Sequence, residues 1–255
     1  NNMLSDAEIK QYHEDGYIIP DFHLSDEALE DIGARHARLV EHRPDFRNFC
    51  PSLLAHDTAF LAYARIPAVL DMVEQVIGPD FALWNSSFFA KPALDGLRTP
   101  WHQDGEYWPV RPLATCTVWI AIDAATPENG CLRVIKGSHK DQRLRPHNTY
   151  DGDDVTLKQE LQADEYDESQ SVDIVLERGQ VSLHDVYLLH ESQANTSKNS
   201  RRGMTLRYMP TTSVFDRDVA HQQAIDKGVG DHSERTLFLM RGGDPSGKND
   251  FRVRL

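Results

Sequence analysis

Cysteine is scarce: Cys50, Cys116 and Cys131 are the only three in 255 residues. None forms a Cys-x-x-Cys pair, so the chain offers no structural zinc motif. An odd, widely spaced set suits buried, inert thiols in a reducing cytoplasm better than a disulfide framework. Positive charge is short as well. The 27 Lys and Arg against 40 Asp and Glu leave a formal net charge of −13, which argues against a nucleic-acid partner, because phosphate binding needs a basic face. No apolar run approaches the ~20 residues that cross a bilayer, so no membrane partner is expected. No basic-then-apolar leader opens the sequence as written. What is present, 40% hydrophobic and 26% charged residues, is ordinary for a globular cytoplasmic enzyme with a sizeable core. No repeat or linker divides the chain.

The first part, about 1–78, reads helical. Ser5 followed by Glu8 is a capping-box pattern, and Ser25 is a second N-cap without the completing glutamate. Leu29, Ile32, Leu39 and Val40 then fall on one helical face. His36 shares that face and reads as a core-edge histidine. Pro67 to Gly78 has the proline-first, glycine-last order of a short helix. From about 79 to 213 the texture changes to short β-type runs: "FALWNSSFFAKP", "TCTVWIAIDA", "CLRVIKGSH", "SVDIVLERGQVSLHD" and "MTLRYMPTTS". Helices first, then many strands without βαβ alternation, predict an all-β sandwich or barrel with helical decoration. "TPENG" and "ERGQ" read as hairpin turns. The acidic stretch 148–171 lacks the glycine and glutamate offsets of a calcium loop and reads as a solvated insertion, with a substrate lid as the alternative. About 214–255 reads as a C-terminal extension.

One short stretch carries chemistry. In "WHQDGEYWPV", His102 and Asp104 stand two apart, and on a strand residues i and i+2 point to the same face. With a second, distant imidazole they would make the facial triad of mononuclear non-haem iron, which leaves three coordination positions open. The third ligand is sought in "VSLHDVYLLHESQANTSKNSRRGMTLRYMP". Both His184 and His190 are available there, and a histidine bonded to backbone at a strand end is the alternative for either.

"WHQDGEYWPVRP", "VWIAIDAATPENGCLRVIKGSHK" and "LLHESQANTSKNSRRGMTLRYM", spanning about 85–210, together resemble the phytanoyl-CoA dioxygenase family of iron(II)/2-oxoglutarate oxygenases. The resemblance implies a mainly β fold, a double-stranded β-helix (a jelly-roll, cupin-like barrel) with N-terminal and flanking helices, as one domain over 1–255. It assigns Fe(II) to His102, Asp104 and His190, with His184 as a neighbour, and 2-oxoglutarate and O2 as cosubstrates. Arg201, eleven positions after His190, would grip the far carboxylate of 2-oxoglutarate with a two-pronged bond that lysine cannot copy. Ser192 would add a hydroxyl, and Trp119 would lie beside the cosubstrate. Ser87 occupies a cosubstrate-contact position where relatives often carry a larger residue. Arg202 is the adjacent rival to Arg201, aimed the other way by strand alternation. A carboxylate at Asp104 implies a hydroxylase rather than a halogenase, whose relatives carry a small residue there.

Glu106, Tyr107, Trp108 and Arg111 follow the aspartate and are expected to line the barrel mouth. Arg207, six residues after Arg201, should share its face. Arg, Glu, Tyr and Trp together suit a small, polar metabolite. Two other classes compete: a non-catalytic cupin-like metal- or ligand-binding protein, and a metal-dependent hydrolase or isomerase on the same barrel. The first should have lost a metal ligand or the cosubstrate arginine, and the second has no use for Arg201 and Ser192 at these spacings.

Overall fold

The computed structural model describes residues 4–254. Its first helix, α1 (Asp6–Asp15), opens on the expected capping box. The Glu8 amide donates to Ser5 Oγ at 3.1 Å and the Ser5 amide to Glu8 Oε1 at 3.0 Å. The helix stops at Gly16, whose φ of 89° lies in the left-handed region that glycine enters without strain. A short strand, β1 (Tyr17–Ile18), leads to α2 (Asp26–His42), capped by Ser25 on the Ala28 amide. Leu29, Ile32 and His36 of α2 are buried, and the His36 ring stacks on Phe88 with centroids 3.9 Å apart. After β2 (Phe49–Cys50) come two single-turn helices, α3 (Leu53–His56) and α4 (Leu61–Ala64). Then α5 (Pro67–Ile77) begins at its proline and ends before Gly78, as the sequence predicts.

From Phe81 onward the chain is mostly strand. In order these are β3 (Phe81–Lys91), β4 (Thr99–His102), β5 (Val110–Arg111), β6 (Cys116–Ala121), β7 (Leu132–Ile135), β8 (His147–Thr149), β9 (Gln159–Leu161), β10 (Ser171–Ile174), β11 (Val181–Asp185), β12 (His190–Ser192), β13 (Arg201–Pro210) and β14 (Val214–Phe215). A last helix, α6 (Arg217–Lys227), precedes β15 (Phe238–Arg241). The larger sheet runs β1-β11-β6-β13-β3-β15 with β2 beside β3, and the smaller runs β10-β7-β12-β4. All pairings within both are antiparallel. This is the jelly-roll, double-stranded β-helix that the sequence pointed to. β15 covers the outer edge of β3, so the C-terminal part is built into the larger sheet.

Strand alternation sorts the long strand β13 into two faces. Met204, Leu206 and Tyr208 pack with Ile32, Val69 and Val73 of the helices in the largest apolar core. Burial of each such side chain stabilises by about 1.5–3 kcal/mol, which fixes the helical layer on the outside of this sheet. Arg201, Thr205 and Arg207 point the other way, into the space between the two sheets.

Two turn expectations fail. "TPENG" joins β6 to β7 and "ERGQ" joins β10 to β11, and in each case the two strands lie in different sheets. They are crossings, because a jelly roll passes from sheet to sheet where a meander would fold back, and turn-forming residues serve both. The stretch 148–171 is also less loose than its composition suggests. β8 pairs with β9, and Leu161 is buried against Trp101 and Leu189, beside the site strand. Cys50, Cys116 and Cys131 are buried and free, as expected. Among the described residues no helix is long and apolar enough to cross a membrane.

Candidate active site

Pairing of β4 with β12 sets His102 directly opposite His190, ring centroids 4.1 Å apart. His102 is the last residue of its strand. Asp104 lies two residues beyond, in a bend, so strand alternation accounts for only half of the motif. The bend closes at Gly105, whose φ is 93° and where a Cβ would come within 2.8 Å of Leu113. Gln103, between the two, points away and pins the segment. Its amide donates to the carbonyls of Arg143 and Tyr187 at 3.0 and 2.9 Å, and its carbonyl accepts the Arg145 amide at 2.6 Å.

The protonation pattern follows from these contacts. His102 Nδ1 lies 2.7 Å from the Pro100 carbonyl and His190 Nδ1 2.9 Å from the Leu188 carbonyl. A carbonyl only accepts, so each Nδ1 carries the hydrogen and each Nε2 keeps a free lone pair. Both Nε2 atoms are 3.5 Å from Asp104 Oδ1, and the three ligand atoms lie within 4.8 Å of one another. His184 Nε2 instead approaches the other oxygen, Oδ2, at 3.3 Å. The rivalry is thereby resolved geometrically: His190 converges with His102 and Asp104, and His184 braces the carboxylate from behind. Two imidazoles and one carboxylate, buried and converging from one side, are a donor set that fits iron(II).

Burial opposes the charge on Asp104, but His190 and the close approach of the His102, His184 and His190 rings outweigh it and hold the carboxyl well below its usual range. Burial, with the neighbouring His190, pushes His102 down to about 4. His102 is thus neutral near pH 7, as a metal ligand must be.

Deeper in the same cavity sits Arg201, 2% exposed. It donates from Nη1 to the Gly130 carbonyl at 2.8 Å and from Nη2 to the Phe89 carbonyl at 3.2 Å, while Nε has no partner among the described residues. Among the described residues no carboxylate pairs with it, and burial lowers its pKa to about 10. An uncompensated buried guanidinium costs several kcal/mol, so the site is built for an anion that the protein does not itself supply. Its guanidinium lies 5.0 Å from the Trp119 ring. Gly203 makes room for that indole, since a Cβ there would sit 1.9 Å from Trp119. Ser192 lines the cavity beside them. Ser87 does not: its amide donates to Thr205 Oγ1 at 3.1 Å, and Thr205 is the residue that faces the cavity. Arg202 points out and forms a two-pronged pair with Asp123 at 2.9 and 3.0 Å.

At the other end of the cavity Arg207 shares the face of Arg201, as expected, and its guanidinium lies 4.7 Å from the Trp108 ring. Glu106, Tyr107, Trp108 and Arg111 do not wall the cavity: the first three lie in the connection before β5, and Arg111 ends that strand. Glu106 approaches His147 Nδ1 at 3.1 Å, and Arg111 donates to the Trp108 and Val110 carbonyls at 2.7 and 2.9 Å. Several cavity residues were not foreseen: Phe89, Thr99, Thr117, Leu132 and Thr205. Thr117 and Phe89 were within reach of period-two counting, since Thr117 stands two before Trp119 and Phe89 pairs with Gly203.

Comparison with known proteins agrees with this geometry. The sequence model described as phytanoyl-CoA dioxygenase (PhyH) matches residues 1–203. Mouse (Mus musculus) "Phytanoyl-CoA dioxygenase, peroxisomal" is 27% identical over 100% of this chain and 83% of its own length. The fold resembles a non-haem monooxygenase, ThoJ, at TM-score 0.73 and 24% identity, covering 96% of this chain and 87% of that one. It also resembles SnoK, a non-haem α-ketoglutarate-dependent carbocyclase from nogalamycin biosynthesis, at TM-score 0.71 and 21% identity, covering 93% and 96%. The chain belongs to the phytanoyl-CoA dioxygenase family of iron(II)- and 2-oxoglutarate-dependent oxygenases.

Proposed function

We propose that this oxygenase hydroxylates an unactivated C–H bond of a small, polar metabolite while 2-oxoglutarate and O2 are converted to succinate and CO2. The observation that carries the reading is the buried, unpaired guanidinium of Arg201 in the cavity that holds His102, Asp104 and His190. A hydrolase, an isomerase or a passive binding protein with this triad has no need of that charge.

His102 and His190 hold their Nε2 lone pairs inward because the Pro100 and Leu188 carbonyls occupy the opposite nitrogens. Asp104 completes the iron ligands, with His184 braced against its second oxygen. Bound there, iron supplies the oxidising chemistry, and the chain supplies position and a dry pocket. Arg201 grips the far carboxylate of 2-oxoglutarate, Ser192 adds a hydroxyl, and Trp119 forms the wall, with Ser87 acting through Thr205. Because Asp104 keeps a carboxylate on the metal, hydroxylation is favoured over halogenation. Substrate sits toward Arg207 and Trp108, with Glu106 and Tyr107 in the connection before β5 and Arg111 at the end of that strand.

The mouse relative's CoA thioester is not carried over, since a formal charge of −13 disfavours the phosphates of such a handle. The three reduced thiols fit the cytoplasm. The test is turnover with iron(II), 2-oxoglutarate and 18O2 across a panel of small polar metabolites, following succinate. A substrate product carrying one labelled oxygen supports hydroxylation. A product closed or desaturated without label, or chlorinated in chloride buffer, overturns it.

A further inference from the structure

Two polar atoms of cavity-lining side chains, Arg207 Nε and Thr117 Oγ1, are buried without a partner among the described residues, and Trp84 Nε1, in the layer beside the cavity, is a third such atom. All three offer a hydrogen, the hydroxyl included. Arg207 and Thr117 stand opposite one another across the β13–β6 ladder, and Arg207 makes no hydrogen bond or ion pair with any described residue. Trp84 sits where the β13–β3 register slips. Such an irregularity re-aims a side chain, and here the indole meets Trp108 edge-on, ring centroids 4.9 Å apart.

Behind them stands a second layer drawn from the segment after α6. Asn85 pairs with Arg207 in the sheet, and Arg235 donates to Asn85 Oδ1 at 2.6 Å and to His232 Nδ1 at 2.6 Å. His232 packs edge-on to Trp84 at 5.5 Å. The carboxylates of this segment are engaged elsewhere, Asp231 with His221 at 3.0 Å and Glu234 with Arg254 at 2.7 Å. Burial, then the repulsion of Arg235 and Arg207, drives His232 down to about 3. Among the described residues the one carboxylate acting on Arg207 is Asp104, already committed to the triad. The match to the family ends at residue 203, so Arg207, His232 and Arg235 all lie beyond it.

We propose that Arg207 and Thr117, with Trp84 beside them and Arg235 and His232 behind, bind an anionic group of the substrate, a carboxylate or a phosphate-type oxyanion. This rests on the oxygenase reading, which sets the cavity's other guanidinium aside for 2-oxoglutarate. It makes the substrate class an acid whose charged end is held by Arg207 while a neutral carbon lies toward the triad. A guanidinium and a hydroxyl opposite one another on the cavity wall are complementary to an oxyanion.

The test titrates the protein, anaerobic and loaded with iron(II) and saturating 2-oxoglutarate, with inorganic phosphate, methylphosphonate or acetate while following tryptophan fluorescence. At least one anion is expected to give a saturable change, weakened tenfold or more in Arg207→Gln and several-fold in Thr117→Val and Arg235→Gln. Phosphate-type anions outbinding acetate identify a phosphate or phosphonate ester or acid, and the reverse order a carboxylic acid. Absence of a saturable response to all three anions, equal affinity in Arg207→Gln, or a response to tetramethylammonium alone overturns the proposal. The 2-oxoglutarate band, recorded separately, isolates failure of the oxygenase reading: if it is absent while the anion response persists and depends on Arg207, the anion site stands and the cosubstrate assignment falls.

Discussion

Two arginines project from the same face of β13 and end up in different circumstances. Arg201 is held by two backbone carbonyls, lies beside Trp119 and is sealed in the floor of the cavity. The guanidinium of Arg207, six residues on, makes no hydrogen bond with any described residue, lies against Trp108 and looks toward a loop and a C-terminal segment. One strand therefore presents the same cation twice, once preorganised by the barrel and once dependent on what the rest of the chain brings. The fixed end suits a ligand common to a whole family. The adaptable end suits the part of the reaction that differs between members.

The contrast is most directly broken at the fixed end. Arg201→Ala is expected to cost about 2–5 kcal/mol of 2-oxoglutarate binding, roughly thirty-fold to several thousand-fold in affinity, and Arg201→Lys to recover only part of it. The triad gives the next largest effect. His184→Ala removes a brace and should lower iron affinity by roughly 10–100-fold, whereas His190→Ala should abolish specific binding; equal losses in a metal titration would contradict the division between them. Between the two arginines, Gly203→Ala sets a methyl against Trp119. It should destabilise by about 1–3 kcal/mol, read as a lowered Tm, and loosen 2-oxoglutarate as the indole shifts.

Away from the site, His36 is held near pKa 4 by burial and by Arg202. Its folded-state value lies below that of the unfolded chain, so the unfolded state takes up the proton first, and stability falls as pH drops from about 6.5 toward 4. The slope should reach roughly 1.4 kcal/mol per pH unit. Denaturant melts of the wild type against His36→Gln across that window should differ by this slope. The smallest effect sharpens the contrast from the other end: Arg207→Gln should change 2-oxoglutarate affinity by no more than roughly twofold, while weakening substrate.

What the sequence revealed and what it hid follow the same division. His102 and Asp104 were legible as a His-x-Asp pair suited to a metal, and His190 and Arg201 through the family resemblance, which sets their offsets. The choice between His184 and His190 needed either family spacing or coordinates, since both lie in strands near the site. Ser87 was placed at the cosubstrate by analogy and is found behind Thr205, where a smaller side chain no longer reaches the cavity. "TPENG" and "ERGQ" carried real turn chemistry but no information on which sheet the next strand would join. Arg235 and His232 were invisible because they come from irregular chain after α6, where no periodicity marks a side chain as facing the barrel.

The central claim is that Arg201 and the triad form one cosubstrate site. It is tested most directly by anaerobic addition of iron(II), then 2-oxoglutarate, to the metal-free protein, following the visible charge-transfer absorption of the chelate. A saturable band, greatly weakened in Arg201→Ala and intact in Arg207→Gln, is the predicted result. Iron binding with no band, or a band indifferent to Arg201, would contradict the account.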